Sequence, residues 1–399
     1  MGLFVFTHEP LHDGPLQRQQ RPSQARKHTT TRDVTPDAAT YIRNSESFSS
    51  LGRLLEAEAF GRNYWVAGYS GFIHLFASLG EFSLVGVRMA QVTMALSMAF
   101  MAYQLTKHLS DRTAMFTFLA VALSPTLLRF SLVIGYEVFL GWLVTLSLTL
   151  VWQSRSSARP VLLIAFGGLA YSVALVVQFK IVILLPVLLY LVAMSSRRFI
   201  PAYLTAAVVP LLVWMGRNFV ALGNIQPWSN NGPVNVWIGN NPYATGGFIA
   251  TPPIPSGWPT SFVSAAMQFA TTQPRDFMEL QARKALRFFY PNVPLDFHVP
   301  LPTVVDAFLV LAFWLWAVVV AGLFVLYVAG SAWRVAQPIR SLDPIALMVV
   351  LFFLSNLPFI MEPRFRVTVD ALMLVVAVPT LLALTKRWRT KGINSAASS

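Results

Sequence analysis

The chain has 399 residues, of which 55% are hydrophobic and only 12% charged, with a formal net charge of +13 and no cysteine. Such a composition is too apolar for a soluble domain of this length, and the lack of cysteine excludes a disulfide framework or a thiolate metal site. The positive charge is not a nucleic-acid footprint, because it lies largely in short connectors between apolar blocks.

Residues 1–30 form a basic tail rich in Gln, Arg and His, with one brief apolar patch from Leu3 to Phe6. The tail reads as disordered. A signal peptide would place positive charge before a longer apolar run, and His8, His12 and His28 lack the spacing of a metal site. Residues 31–82 are of mixed polarity. Thr35-Pro36-Asp37 reads as a helix start, with Thr as cap and Pro at the first helical position. Ile42, Phe48, Leu51 and Leu55 give that helix an intermittent apolar face, and Tyr69 to Leu79 forms a second amphipathic piece. Both are too polar to span a bilayer and suit its surface.

Apolar blocks follow at 83–106, 112–131, 134–153, 160–178, 181–195, 199–220, 305–331, 344–361 and 367–385. A bilayer core takes roughly 17–25 apolar residues per helix. The blocks show none of the alternation of barrel strands, so the chain reads as an all-α polytopic membrane protein of nine spans. Six spans fill 83–220 and three fill 304–385, with a loop rich in Pro, Gly and Asn at 221–303 and a tail at 386–399. Within the loop, Pro274 to Phe289 has a helical pattern. No internal repeat is visible.

The connector cations are Lys107 and Arg112, Arg155 and Arg159, Arg197 and Arg198, Arg334 and Arg340, then Lys386, Arg387, Arg389 and Lys391. Every second connector is basic, which assigns these to the cytoplasm and the 221–303 loop to the outside. The same threading puts residues 1–82 outside, against the preference of Arg18, Arg21, Arg26 and Lys27. A further span ahead of this segment would resolve the conflict and is expected.

Ionisable groups near membrane helices tend to face cavities or partners. Asp33, Asp37, Glu46, Arg129, Glu137, Lys180, Arg217, Glu362, Arg364, Arg366 and Asp370 all fall at the outer face in this topology. Acids and arginines on one side suit a phosphate-bearing or otherwise anionic substrate. Each has a plainer role open to it. Asp37 fits a helix first turn, Glu137 can pair with Arg129, Glu362 can pair with Arg364, and Lys180 and Arg217 can snorkel to headgroups. His74 reads as structural.

Several stretches together resemble GT-C glycosyltransferases, closest to the branch of protein O-mannosyltransferases and lipid A aminoarabinose transferases. Thr35-Pro36-Asp37-Ala38-Ala39-Thr40-Tyr41-Ile42 is similar to the Asp-x-x-x-Tyr opening of that branch's first outer loop. Gly68-Tyr69-Ser70-Gly71-Phe72, then Gly80 and Arg88, stands where a Pro/Gly-Tyr-Pro element is common, with Ser70 in place of Pro. Leu123-Ser124-Pro125 and Glu137 resemble the next hairpin. Trp214-x-x-Arg217-Asn218, Gly239-Asn240-Asn241-Pro242 and Gly246-Gly247 look like the family's outer loop, and Glu362-Pro363-Arg364-Phe365-Arg366 resembles its Glu-x-Arg-Tyr motif. The likeness runs from about residue 33 to 385, and the family's usual first span is absent from it.

The resemblance implies inverting transfer of a sugar from a polyprenyl-phosphate donor to an acceptor hydroxyl of a glycan, lipid or protein, at the outer side of a bacterial inner membrane. It implies Asp37 as general base and Arg217, Arg364, Lys180 and Arg366 as donor-phosphate partners. Tyr41, Glu137, Glu362, Asn240 and Asn241 are the implied supporting residues. Some relatives use a divalent metal, although no motif here demands one. A transporter or flippase for an anionic lipid or sugar is the alternative, which would predict paired halves with broken helices at mid-membrane. A membrane scaffold with a partner-binding loop is a third reading.

Overall fold

The computed structural model describes residues 36–60, 67–77, 83–291, 303–332 and 341–396. The basic tail 1–30, Asp33, Thr35, Gly80, Arg334 and Arg340 lie outside the described residues, as do the side chains of Arg387, Arg389 and Lys391. Among the described residues every regular element is helical, as expected for an all-α membrane protein.

The first segment, called outer for the side that the connector charges predict, forms α1 (Pro36–Ser45), a 3-10 turn (Glu46–Ser49), the short α2 (Leu51–Leu54) and α3 (Gly68–Ala77). Pro36 does open α1. The face expected to continue through Leu51 does not form, because extended backbone at Ser50 breaks the helix and leaves Leu51 71% exposed. The apolar side of α1 is covered by protein, not left for a membrane surface: Ala38 and Tyr41 are buried, and α1 packs on α3.

The membrane region follows as α4 (Ser83–Thr106), α5 (Asp111–Ala122), α6 (Pro125–Ser131), α7 (Tyr136–Gln153), α8 (Pro160–Val177), α9 (Leu185–Ser196) and α10 (Ile200–Leu222). Local chemistry sets the ends. Ser110 accepts a hydrogen bond from the Thr113 amide at 3.1 Å and so caps α5. Pro125 and Pro160 stand in the first turns of α6 and α8, where a missing N–H costs nothing. Gly223 ends α10 in the left-handed region at φ 70°. Six helical runs among the described residues are long and apolar enough to cross a membrane, or seven if α5 and α6, bent by 46°, count as one. Nine expected spans reduce to that number for two reasons. Residues Phe179–Leu222 form one run of 44 residues that holds two of the expected blocks, and α15 (Asp343–Asn356) has only 14 residues.

The loop predicted to lie outside carries α11 (Gly232–Gly239), α12 (Phe262–Thr272) and α13 (Pro274–Phe289), and the chain closes with α14 (Thr303–Ala332), α15 and α16 (Val367–Ala396). Within the membrane region α7 and α16 are the central helices: 72% of the apolar window of each is buried, against 28% for α14. A helix that is apolar all round belongs in the interior, and every described side chain from Phe365 to Ala377 is buried.

Gly141 is where α7 and α16 meet. A Cβ there would lie 2.8 Å from the Thr368 carbonyl oxygen and 3.2 Å from its Cα, so only glycine lets the two backbones approach so closely. Gly141 lies one turn below Glu137 on the same face, and Thr368 follows Arg364 by four residues. The contact thereby sets how far Glu137 stands from Arg364. Gly141→Leu should push α7 off α16 and lower stability by about 1–3 kcal/mol through overpacking. Gly322→Leu on α14, whose added Cβ meets nothing within 4 Å, should leave it unchanged. Thermal unfolding of both variants in detergent measures the difference.

Candidate functional site

Three elements distant in sequence converge at the head of α7. Arg364 sits in the 3-10 turn Pro363–Arg366 that leads into α16. Its Nη2 donates to Asp37 Oδ2 at 2.8 Å across 327 residues of chain, and its Nε lies 3.6 Å from Glu137 Oε1. Glu137, the second residue of α7, is sealed in, with a side chain 3% exposed, whereas Asp37 and Arg364 keep 35% and 39% exposure. One guanidinium thus bridges a buried carboxylate and one that opens to water. Asp37 Oδ1 has no hydrogen-bond partner among the described residues.

Lys180 comes from the 3-10 turn Phe179–Leu184. Its Nζ donates to Asn356 Oδ1 at 2.6 Å and lies 4.4 Å from the centre of the Phe365 ring. The Asn356 amide donates to the Phe352 carbonyl at 2.7 Å, which turns its oxygen toward the lysine. Lys180 is within electrostatic reach of both Glu137 and Arg364. The cluster therefore holds two carboxylates against two cations. Tyr41, four residues after Asp37 on α1, packs edge-on against Tyr69 at 5.2 Å and Tyr136 at 6.3 Å. Burial first, then the neighbouring Tyr136, Glu137 and Asp37, holds its phenol well above the usual range. It remains a neutral hydrogen-bonding group and not a base.

The plainer pairings drawn from sequence do not form. Glu137 turns to Arg364, while Arg129 lies over the Phe313 ring at 5.6 Å. Glu362 pairs with Arg287 at 3.4 Å and accepts from the Phe248 amide at 2.7 Å, leaving Arg364 to Asp37.

Arg217 is absent from the cluster. Its Nε donates to the Leu54 carbonyl at 2.8 Å, Nη2 to the carbonyls of Glu56 at 2.8 Å and Ala59 at 3.4 Å, and Nη1 to Asn218 Oδ1 at 3.1 Å. The guanidinium also lies over the rings of Phe60 and Trp214, at 5.2 and 5.3 Å. The last carbonyls of a short helix lack partners within it, as at Leu54, while that of Glu56 also accepts from the Ala59 amide at 3.1 Å; a fork of five donors meets such a set well. Phe60, buried with a backbone φ of 60°, is held there by this packing in a conformation rare for a bulky residue. Arg217 is a staple for the first outer segment. Arg366 is likewise engaged, by Asp370 at 2.8 Å and by the carbonyls of Phe289 and Tyr290.

Asn240 and Asn241 stitch the outer loop to the chain leading into Arg364. Asn240 donates to the carbonyls of Val236 at 2.9 Å and Pro358 at 2.8 Å, and its oxygen accepts from Gln281 at 3.0 Å and Lys284 at 2.8 Å. Asn241 closes its own turn, donating to Trp237 and Ile238 carbonyls and accepting from the Tyr243 amide. Gly239 allows the contact: a Cβ there would lie 2.5 Å from the Phe359 carbonyl carbon. Met361 and Gly246 are joined by a 2.8 Å backbone hydrogen bond. These residues position the Pro363–Arg366 turn and do not themselves reach the cluster.

Sequence reasoning missed Lys284, Asn356, Tyr136 and Gln178, whose amide donates to the Tyr136 hydroxyl at 3.3 Å. Lys284 carried a readable signal, because it shares the i, i+4 register of Leu280 and Phe288, the buried side of α13. The others act only through neighbours that the fold supplies.

Among the described residues no three His, Cys, Asp or Glu side chains converge, and both carboxylates of the cluster face Arg364.

Lys284 is wholly buried, and desolvation brings its ammonium down from 10.5 to about 7. A folded pKa below the unfolded one means that the unfolded chain binds the extra proton between these values. Stability should therefore rise as pH increases from about 7 toward 10 and be flat below 7. Lys284→Met should remove this slope, read as the difference between wild-type and variant unfolding midpoints across that range.

Compared with known proteins, the chain matches no protein-family model, no curated protein and no solved structure.

Proposed function

We propose that the chain is a GT-C-type glycosyltransferase that moves a sugar from a polyprenyl-phosphate donor to an acceptor hydroxyl at the outer side of the membrane. The observation that carries this reading is the ion pair of Asp37 with Arg364, on the same guanidinium that neutralises the buried Glu137. A base with one oxygen open and a cation half-exposed beside it is what displacement at a phosphate-linked sugar requires.

In this reading the donor phosphate engages Arg364 and Lys180, while Glu137 keeps its hold on the guanidinium. The acceptor hydroxyl oxygen attacks the anomeric carbon, its proton passes to Asp37, and the bond to the phosphate oxygen breaks with its electron pair on the phosphate. The anomeric centre inverts. A carboxylate supplies the base, and cations held in place beforehand stabilise the charge that grows on the departing phosphate. Arg217 and Arg366, fully engaged elsewhere, are assigned positioning roles, and Asn240, Asn241 and Glu362 hold the turn that carries Arg364.

The reading keeps nine crossings, with the 44-residue run turning at the Arg197–Phe199 3-10 segment between two passes. It also puts the cluster on the outer side by the charge of the connectors. In the cysteine-free chain, Ser256→Cys should react with an impermeant maleimide in intact cells and Arg197→Cys should not. Labelling of position 197 from outside overturns the orientation.

The decisive substitution is Asp37→Asn. Asn keeps the size and helix-start chemistry of Asp and is a far poorer base. Release of polyprenyl phosphate from a synthetic polyprenyl-phosphate sugar, measured in membranes containing the full chain, should fall by about 10²–10⁴ with the unfolding midpoint nearly unchanged. Turnover close to wild type removes Asp37 from the chemistry.

A further inference from the structure

A second feature lies at the other end of the bundle. Glu137 opens α7 and Arg155 follows its end, so the 18 residues between separate the two poles by about 27 Å at 1.5 Å per residue. At the Arg155 pole a cavity of about 1320 Å³ is lined by the end of α4, the end of α7, α9, Tyr327 and Val328 of α14, and Ser341 with α15. That exceeds the roughly 300–1,000 Å³ of pockets for drug-sized ligands. It is separate from the Asp37–Arg364 cluster and shares none of its residues.

The wall is mostly apolar. Tyr190, Met194 and Leu347 line it while 56%, 54% and 48% exposed, a surface that needs hydrocarbon to cover it. The rim is cationic. Lys107 and Arg155 both line the cavity, both are exposed, and neither has a carboxylate partner among the described residues. Arg155 is instead held in place, 4.5 Å over the Trp152 ring, with Nη2 3.5 Å from Met194 Sδ. His108 contacts Ser341 Oγ at 2.8 Å. Burial, then the nearby Arg155, keeps its imidazole below the ordinary value, against an opposing hydrogen bond with the Leu105 backbone. It is neutral at pH 7 and offers a hydrogen bond, not a charge. The one carboxylate in the lining among the described residues, Asp343, accepts from the Tyr327 hydroxyl at 2.7 Å and sits in the first turn of α15, where the helix dipole favours it. Two unpaired cations over a deep apolar wall match one kind of ligand.

We infer that this cavity binds an anionic phospholipid of the adjoining leaflet, with its phosphate at the Lys107–Arg155 rim and an acyl chain along Tyr190, Leu347 and Leu351. The chemistry divides cleanly between the two ends of such a molecule. Arg and Lys donate to phosphate oxygens, and the chain covers the apolar wall. A free phosphate leaves the wall uncovered, and a zwitterionic lipid brings a cationic group against the rim. The inference stands independently of the chemistry proposed at the opposite pole.

Retention of lipid by the purified full chain, followed by native mass spectrometry, tests it. Phosphatidylglycerol should be retained about tenfold over phosphatidylcholine. The preference should vanish in the double variant Lys107→Gln/Arg155→Gln and also in Leu347→Trp, which fills the wall and leaves both cations in place. Arg159→Gln, an exposed connector cation outside the cavity, should keep it. Loss in the double variant with full retention in Leu347→Trp means diffuse surface attraction and overturns the site, as does displacement of the lipid by inorganic phosphate at equal concentration. Lys107→Arg/Arg155→Lys keeps the charges and should restore the preference if the double variant folds poorly. Failure to do so also overturns the proposal.

Discussion

A carboxylate sealed into the head of a membrane helix has to meet a cation, and much of this structure follows from how Glu137 meets Arg364. Leaving a charge without a partner at such depth costs several kcal/mol. The partner arrives from the far end of the chain, on a 3-10 turn whose backbone is tied to the outer loop. Arg364 extends beyond Glu137 to Asp37, so neutralising the buried acid also fixes the position of the exposed one. The first outer segment, the middle of the chain and the last helix are joined at one side chain.

Two kinds of contact make that meeting reproducible. The bare backbone of Gly141 against Thr368 sets the spacing of α7 and α16. The side chains of Asn240, Lys284 and Glu362 then hold the 357–362 segment against the outer loop. Arg217 holds the end of α2 from the other side by donating to the carbonyls of Leu54 and Glu56. The structure thus uses its arginines unequally. Arg217 and Arg366 are absorbed by backbone and buried acid, whereas Arg364 remains half-exposed and available.

The two poles differ in the same physical sense. At the Asp37 pole, acids and cations balance one another within a tight cluster. At the Arg155 pole the rim cations meet no carboxylate among the described residues, and the wall between them is mostly apolar. Positive charge is therefore used in two ways, consumed by acids at one pole and left at the edge of the protein at the other.

The all-α, membrane-type architecture was legible in the amino-acid order, because apolar block length answers to the bilayer and not to tertiary detail. The start of α1 at Pro36 and the extent of α13 from Pro274 to Phe289 were legible for a similar reason, since proline and helical periodicity act locally. Asp37, Glu137, Lys180 and Arg364 stood out as costly charges in apolar surroundings. Their partners did not. Sequence proximity suggested Arg129 for Glu137 and Glu362 for Arg364, and both pairings gave way to contacts made across the bundle. Arg217 resembled a ligand-binding residue from its motif, yet carbonyls of the 54–59 segment claim it, because α2 ends at Leu54 and the chain turns there toward Arg217. Residue type and spacing determine which groups must find a partner. Which partner they find depends on distances between segments hundreds of residues apart, and only the packed helices set those distances.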